Sequence, residues 1–244
     1  MGSVRIGSWF ADASNVVDGF TIEDIDGWDD SPDYRTTDIE RPQAHGSFEL
    51  PAFSGSRRIS ISGFCFADSD PELGHKKNQL SGLMSDGLFH RMVIKDQGIT
   101  SWADVQRVGS KFKTIAAGDV ARYQLQVWAA DPRKFGDTRA FAAGVASYHY
   151  GNFAAAPVHT VTGVGSGYTI NGPGGRTFTV TKAVTSGHPH TIDMATGFLS
   201  VDGVVVVGSV TSADVWSVPP GGTVTHTLTG SGVTLSTAVK DTYI

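Results

Sequence analysis

The stretch YQLQVWAADPRKFG, Tyr123 to Gly136, decides how the chain is read. From Arg122 to Trp128 it alternates polar and apolar, with Tyr123, Leu125 and Val127 on one side. Successive side chains of a strand point to opposite faces, so this is a half-buried β-strand. It runs into Pro132, Arg133 and Lys134, a charged, turn-forming cluster in which proline has no N–H to continue a ladder. The same alternation occurs at Arg58 to Ser62, with Ile59 and Ile61 on the apolar side. Between these strands DPELGHKKNQLSGLM predicts a helix over 71–84. Asp70 is read as its N-cap, Pro71 suits the first helical position and Glu72 favours the positive end of the dipole. Leu73, Leu80, Leu83 and Met84 fall on one face, and Ser85-Asp86-Gly87 ends the helix. LFHRMVIKD, SWADVQRV and a short segment near Phe112 read as further strands. The expectation is a sheet carrying one packed helix.

Beyond this region the chain changes character. Residues 145–244 hold 17 Thr, 17 Val and 15 Gly but only three basic and four acidic residues, against 16 basic and 20 acidic in the first 144. The break is placed in Phe141 to Pro157, giving an N-terminal domain over 1–144 and a C-terminal one over 145–244. In the second, short strands recur between glycine turns: VHTVTG, GYTING, RTFTVTK, HTIDM, FLSVDG, VVVVG, DVWSV, TVTHTLTG and VTLSTAV. Thr alternates with Phe178, Val180, Val224 and Leu228, the pattern of an antiparallel β-sandwich. The fold class is therefore mainly β, a β-rich domain with one helix followed by a sandwich.

A formal charge of −5 supplies no basic field for phosphates, so nucleic-acid specificity is not expected. Residues 1–40 carry ten Asp or Glu against two Arg, with a knot at EDIDGWDD, Glu23 to Asp30, read as a solvated acidic loop rather than a surface for a basic partner. The single cysteine, Cys65, forms no disulfide framework and reads as a small buried group. MGSVRIGSWF lacks a signal-peptide core, and no window nears the roughly 18 apolar residues of a membrane span, so folding in a cytoplasm is expected.

Candidate chemistry is thin. His188-Pro189-His190 with Asp193 suggests a metal cluster, but 190 and 193 point to opposite faces of a strand. Asp193 and Asp202 raise glycoside hydrolysis, yet both sit at the ends of a hairpin and read as turn residues. No G-x-S-x-G elbow occurs, and GSGYTINGPGGR has no following Lys-Ser/Thr to make a phosphate loop. Trp216, Tyr168 and Tyr150 are candidates for stacking on sugars, though strand aromatics in sandwiches usually belong to the core. The sequence assigns no catalytic, cofactor or metal residue, names no binding residue, implies no cofactor and gives no enzyme.

Taken in order, DGFTIEDIDGW (Asp18 to Trp28), RRISISG, the helix at 71–84, YQLQVWAADPRKFG, GFLSVDG (Gly197 to Gly203) and VWSVPPGGTVTHTL (Val215 to Leu228) resemble the distal tail proteins of long-tailed bacteriophages, especially minor tail proteins of phages infecting actinobacteria. The resemblance covers nearly the whole chain. It implies a belt domain that assembles into a ring, six copies in the family, with a galectin-like sandwich outside it. It implies a structural virion protein at the distal tail, assembled in the host cytoplasm. The implied partners are itself, the tail tube protein, tip or baseplate proteins such as a hub or lysin, and the tape measure protein. Residues 145–244 contain no Glu and one Arg, so the sugar-binding cluster of a galectin is not present. The alternatives are a carbohydrate-binding adhesin and, ranked last, a cell-wall hydrolase.

Overall fold

The structure, a computed structural model, describes residues 2–14, 18–116 and 119–244. It divides into two compact units, Met1–Lys134 with Ile244, and Phe135–Tyr243.

The first unit carries β1 (Ser3–Ile6), β2 (Trp9–Asp12), β3 (Gly19–Thr21), β4 (Asp24–Asp26), β5 (Tyr34–Arg35), β6 (Phe53–Ser54), β7 (Arg57–Phe66), helix α1 (Asp70–Gly82), β8 (His90–Asp96), β9 (Ile99–Ala116) and β10 (Val120–Ala129). β10, β7, β3, β2, β1, β8 and β9 lie side by side, and β9 also pairs with β10, so seven strands close on themselves. Closure leaves each of these strands with neighbours for its backbone N–H and C=O groups. The alternation read in the sequence sets the core: Tyr123, Leu125 and Val127 of β10 are buried, as are Ile59 and Ile61 of β7, with Leu125 opposite Ile61 and Val127 opposite Ile59. Trp9, Phe20 and Tyr123 pack as one aromatic group with ring centroids 5.2–6.1 Å apart. Tyr123 buries its hydroxyl but satisfies it on the Thr21 carbonyl, 2.9 Å away. Gly63, opposite Tyr123, permits this packing, since a Cβ there would stand 2.0 Å from the Thr21 carbonyl oxygen. Cys65 is buried, and burial pushes its thiol up to about 12.

SWADVQRV and the segment near Phe112 belong to one strand rather than two. The first half of β9, to Val105, pairs with β8 and the second half with β10, which accounts for its length.

Asp70 is not the N-cap. Ser69 takes the extended cap conformation and Asp70 is the first helical residue, while no side chain makes a cap hydrogen bond; the Glu72 carboxylate instead accepts from the Asp68 N–H at 3.1 Å. Proline disfavours helical backbone in the residue before it, which would place the boundary at Asp70, yet Asp70 is helical and the boundary falls one residue earlier. The helix also ends before Ser85-Asp86-Gly87, at Gly82. Leu83 turns extended and Met84 has φ +53°, which brings both back onto the core from the turn instead of from the helix face. Leu73 and Leu80 are the buried helix residues. Leu80→Ala is therefore expected to cost about 2–5 kcal/mol through lost packing and a cavity. Asp70→Ala, with only a first-turn dipole contribution to lose, should cost about 0.3–1 kcal/mol. Denaturant melts check the order, and an unshifted midpoint for Leu80→Ala would remove the helix from the core.

The second unit contains β11 (Lys134–Ala142), β12 (Ala146–Ser147), β13 (Val158–Gly163), β14 (Tyr168–Asn171), β15 (Thr177–Val180), β16 (His190–Asp193), β17 (Phe198–Val201), β18 (Val204–Val205), β19 (Val210–Ala213), β20 (Val224–Thr225), β21 (Thr227–Thr229) and β22 (Val233–Tyr243). β11, β22, β13, β16, β17 and β18 make one sheet; β19, β15, β14 and β21 make the other. Val161, Ile192 and Leu199 of the first pack with Ile170, Phe178 and Val180 of the second in a sandwich core. Two sequence-predicted strands differ. TVTHTLTG breaks at His226: β20 pairs with β12 and β21 with β14, because the buried His226 ring turns toward Ser147. DVWSV forms no strand, since Trp216 folds onto Gly172, where a Cβ would lie 2.7 Å from the indole.

Candidate assembly surface

The residues that suggested chemistry do not converge. His188 is exposed with Nδ1 2.6 Å from an Asp202 carboxylate oxygen, whereas His190 is buried with Nδ1 3.1 Å from the Tyr168 hydroxyl. Asp193 accepts from the Ala195 N–H at 2.8 Å, and Asp202 has φ +52°, so both serve turns. Among the described residues no three His, Cys, Asp or Glu side chains gather as metal ligands. Trp216 and Tyr168 are core residues, and of the three aromatics only Tyr150 is exposed, its ring covered by the Arg139 guanidinium at 4.3 Å. A sugar platform built on Trp216 is thereby lost. In GSGYTINGPGGR, Gly172 makes room for that indole, which gives the loop a packing role. Among the described residues no helix is long and apolar enough to cross a membrane.

The turn after β10 is organised by three cations, of which Arg57 and Lys134 are buried and Arg133 is half-buried. Arg133 grips Asp131 through Nε at 2.9 Å and Nη2 at 2.7 Å. Burial would raise the Asp131 pKa, but the Arg133 hydrogen bonds outweigh it and hold the carboxyl below its usual range. Lys134 Nζ donates to the Trp28 carbonyl at 2.8 Å and sits 3.3 Å from Asp29. Burial lowers its pKa, with Asp29 opposing. Arg57, 2% exposed, donates from Nη1 to the carbonyls of Gly27, Trp28 and Asp30 and from Nε to that of Pro132. The acidic knot is thus not simply a solvated loop. Its backbone wraps two cations, which the charge count alone did not reveal, because the contacts are to carbonyls and come from residues about 30 and 106 positions away.

Over this scaffold four strands, β4, β7, β10 and β9, present a polar outer face. The registers align in rows: Lys111 of β9 faces Gln124 of β10, which faces Ser62 of β7, which faces Asp24 of β4. The next row reads Gly109, Gln126, Ser60 and Asp26. Gln124 Nε2 donates to Ser60 Oγ at 2.9 Å, and Arg122 reaches Glu23 at 2.6 Å. Asp26, Ser60 and Gln126 of this face also line a pocket with Arg58, Ile59, Val108 and Val127, and a rigid sheet face of hydrogen-bonding side chains suits association.

No family model and no curated protein matches the sequence. Solved structures do match. The crystal structure of the Dit protein of phage SPP1, described as a paradigm of the hub adsorption apparatus in phages infecting Gram-positive hosts, aligns with TM-score 0.78 at 11% identity over 99% of this chain and 99% of that one. The phage P2 baseplate in its activated conformation with Ca aligns with TM-score 0.51 at 9% identity over 98% and 97%. With Sr the values are 0.50, 9%, and 97% of each. The fold is that of a phage distal tail protein, as the sequence motifs implied.

Proposed function

We propose that this chain is a structural, non-enzymatic virion protein, a ring-forming hub at the distal end of a phage tail that joins the tail tube to the tip or baseplate. The observation that carries this is the likeness to a hub protein along essentially the full length, both units included. The first unit makes the ring, and the second is a galectin-like sandwich. Its assembly is heterologous: one patch meets a different patch on the next copy, and the rotation closes at six. The tube protein and the tip or baseplate proteins, with the tape measure protein, are its neighbours in the virion, and assembly takes place in the host cytoplasm. Light scattering and electron microscopy of the purified chain test this. Closed rings of six are expected; a chain that stays monomeric at all concentrations would overturn the reading.

A further inference from the structure

The polar face of the first unit carries opposite charges at opposite edges. Lys111 and Lys113 are exposed on β9, and Asp24 and Asp26 are exposed on β4. Among the described residues none of the four takes part in an ion pair, while Arg122 on the same face is already held by Glu23. Lys111 and Asp24 end the same row, three strand spacings apart, roughly 14 Å. That exceeds the screening length of about 8 Å in physiological salt, so the two ends of one copy do not neutralise each other. The backbone repeats the asymmetry. β4 pairs with β7 on one side and with no strand on its other side among the described residues. An unpaired strand edge is a template for another chain, and charges at such an edge choose which chain.

We infer that the acidic edge at β4 docks beside the basic half of β9 in a second copy of this chain, so that Asp24 and Asp26 meet Lys111 and Lys113 head to tail. The occupant follows from charge complementarity: the partner edge must be basic where this one is acidic, and the chain carries that edge itself, in register on the same face. Docking brings into ion-pair range charges that within one copy lie roughly 14 Å apart. The inference rests on the ring proposed above and names the surfaces that form it.

The test uses full-length protein with Asp24→Lys/Asp26→Lys, with Lys111→Glu/Lys113→Glu, and with all four changes. All four sites are exposed, so melting temperatures near wild type are expected. At about 0.15 M salt each double variant should need about tenfold or more protein to form rings, because like charges now meet at every contact. An equimolar mixture of the two double variants should recover rings, since one has two basic edges and the other two acidic ones. The four-site variant should recover them alone, and in about 1 M salt the penalty should shrink. Double variants that assemble like wild type overturn the edge assignment, as do mixtures and four-site variants that melt normally without recovering. Wild-type rings in those experiments leave the hub reading standing, whereas a wild type that never assembles overturns both. Should a double variant fail to melt cooperatively, Asp24→Lys and Lys111→Glu singly, and their mixture, give the same decision.

Discussion

Replacing Arg57 with leucine is expected to destabilise the first unit by about 3–5 kcal/mol, the usual cost of removing one member of a buried charged network. The guanidinium is 2% exposed and gives hydrogen bonds of 2.5–3.0 Å to four backbone carbonyls, those of Gly27, Trp28, Asp30 and Pro132. Leucine fills much of the volume but donates nothing, so the carbonyls lose their partner where water has little access. Burial lowers the Arg57 pKa and the nearby Asp29 and Asp30 oppose that shift, so the charge is retained at working pH. Arg57→Lys should rescue little, because one ammonium cannot span both the 27–30 loop and Pro132 as the planar fork does. Lys134→Met, which removes one carbonyl contact and the cation over the Trp28 ring, should cost less, about 1–3 kcal/mol. Denaturant melts give the order. Proteolysis within 26–34 gives the place, and a wild-type midpoint with an uncut loop for Arg57→Leu would show that the loop holds itself.

Arg57 also shows where the sequence stops being legible. Alternation around Ile59, Ile61, Leu125 and Val127 foretold which side chains are buried, because a strand's period of two is written locally. Arg57 continues the buried side of that alternation, yet a cation there reads as polar until its carbonyl partners are known. Leu80 was legible from the helix period, whereas the cap was not: Ser69, Asp70 and Pro71 offer competing boundaries that backbone geometry decides. The row from Lys111 to Asp24 was illegible for a different reason. Periodicity gives the face of each residue, but the register between partners 38 and 62 positions apart, Asp24 with Ser62 and Ser62 with Gln124, is set by the closed packing of the whole unit. Thr223 to Thr229 misled because its alternation is real on both sides of His226 although the strand changes sheets there.

Acid should weaken the second unit steeply between pH 6.5 and 4.5. His159 and His226 are buried with ring centroids 4.8 Å apart, and both pack on Trp216. Ser147 Oγ donates to the Val224 carbonyl at 2.7 Å, leaving its lone pair to accept from His226 Nδ1 at 3.3 Å, so His226 carries its proton on Nδ1 and is neutral. His159 Nδ1 meets the Thr237 hydroxyl at 2.9 Å. Nε2 of both rings is buried without a hydrogen-bond partner, so protonation would add an N–H with no acceptor to a ring already facing another imidazole. Burial, with the second ring adding, pushes His159 down to about 3, and burial pushes His226 down to about 4. Burial, then Lys182, also lowers His190. Both folded values lie below the ordinary value of about 6.5, so below that pH the unfolded chain binds more protons than the folded one. The stability is complete above pH 6.5 and is lost as pH falls toward the folded values. Each ring contributes about 1.4 kcal/mol per pH unit, which for two rings over two units is about 5 kcal/mol as an upper bound. Calorimetry of the full chain from pH 7.5 to 4.5 reads this as a falling transition for the second unit. His159→Phe/His226→Phe should start from lower stability, because Thr237 and Ser147 lose partners, yet fall less with acid by most of that amount. Parallel pH profiles for the wild type and the double variant would show that the acid sensitivity lies elsewhere than in these two rings.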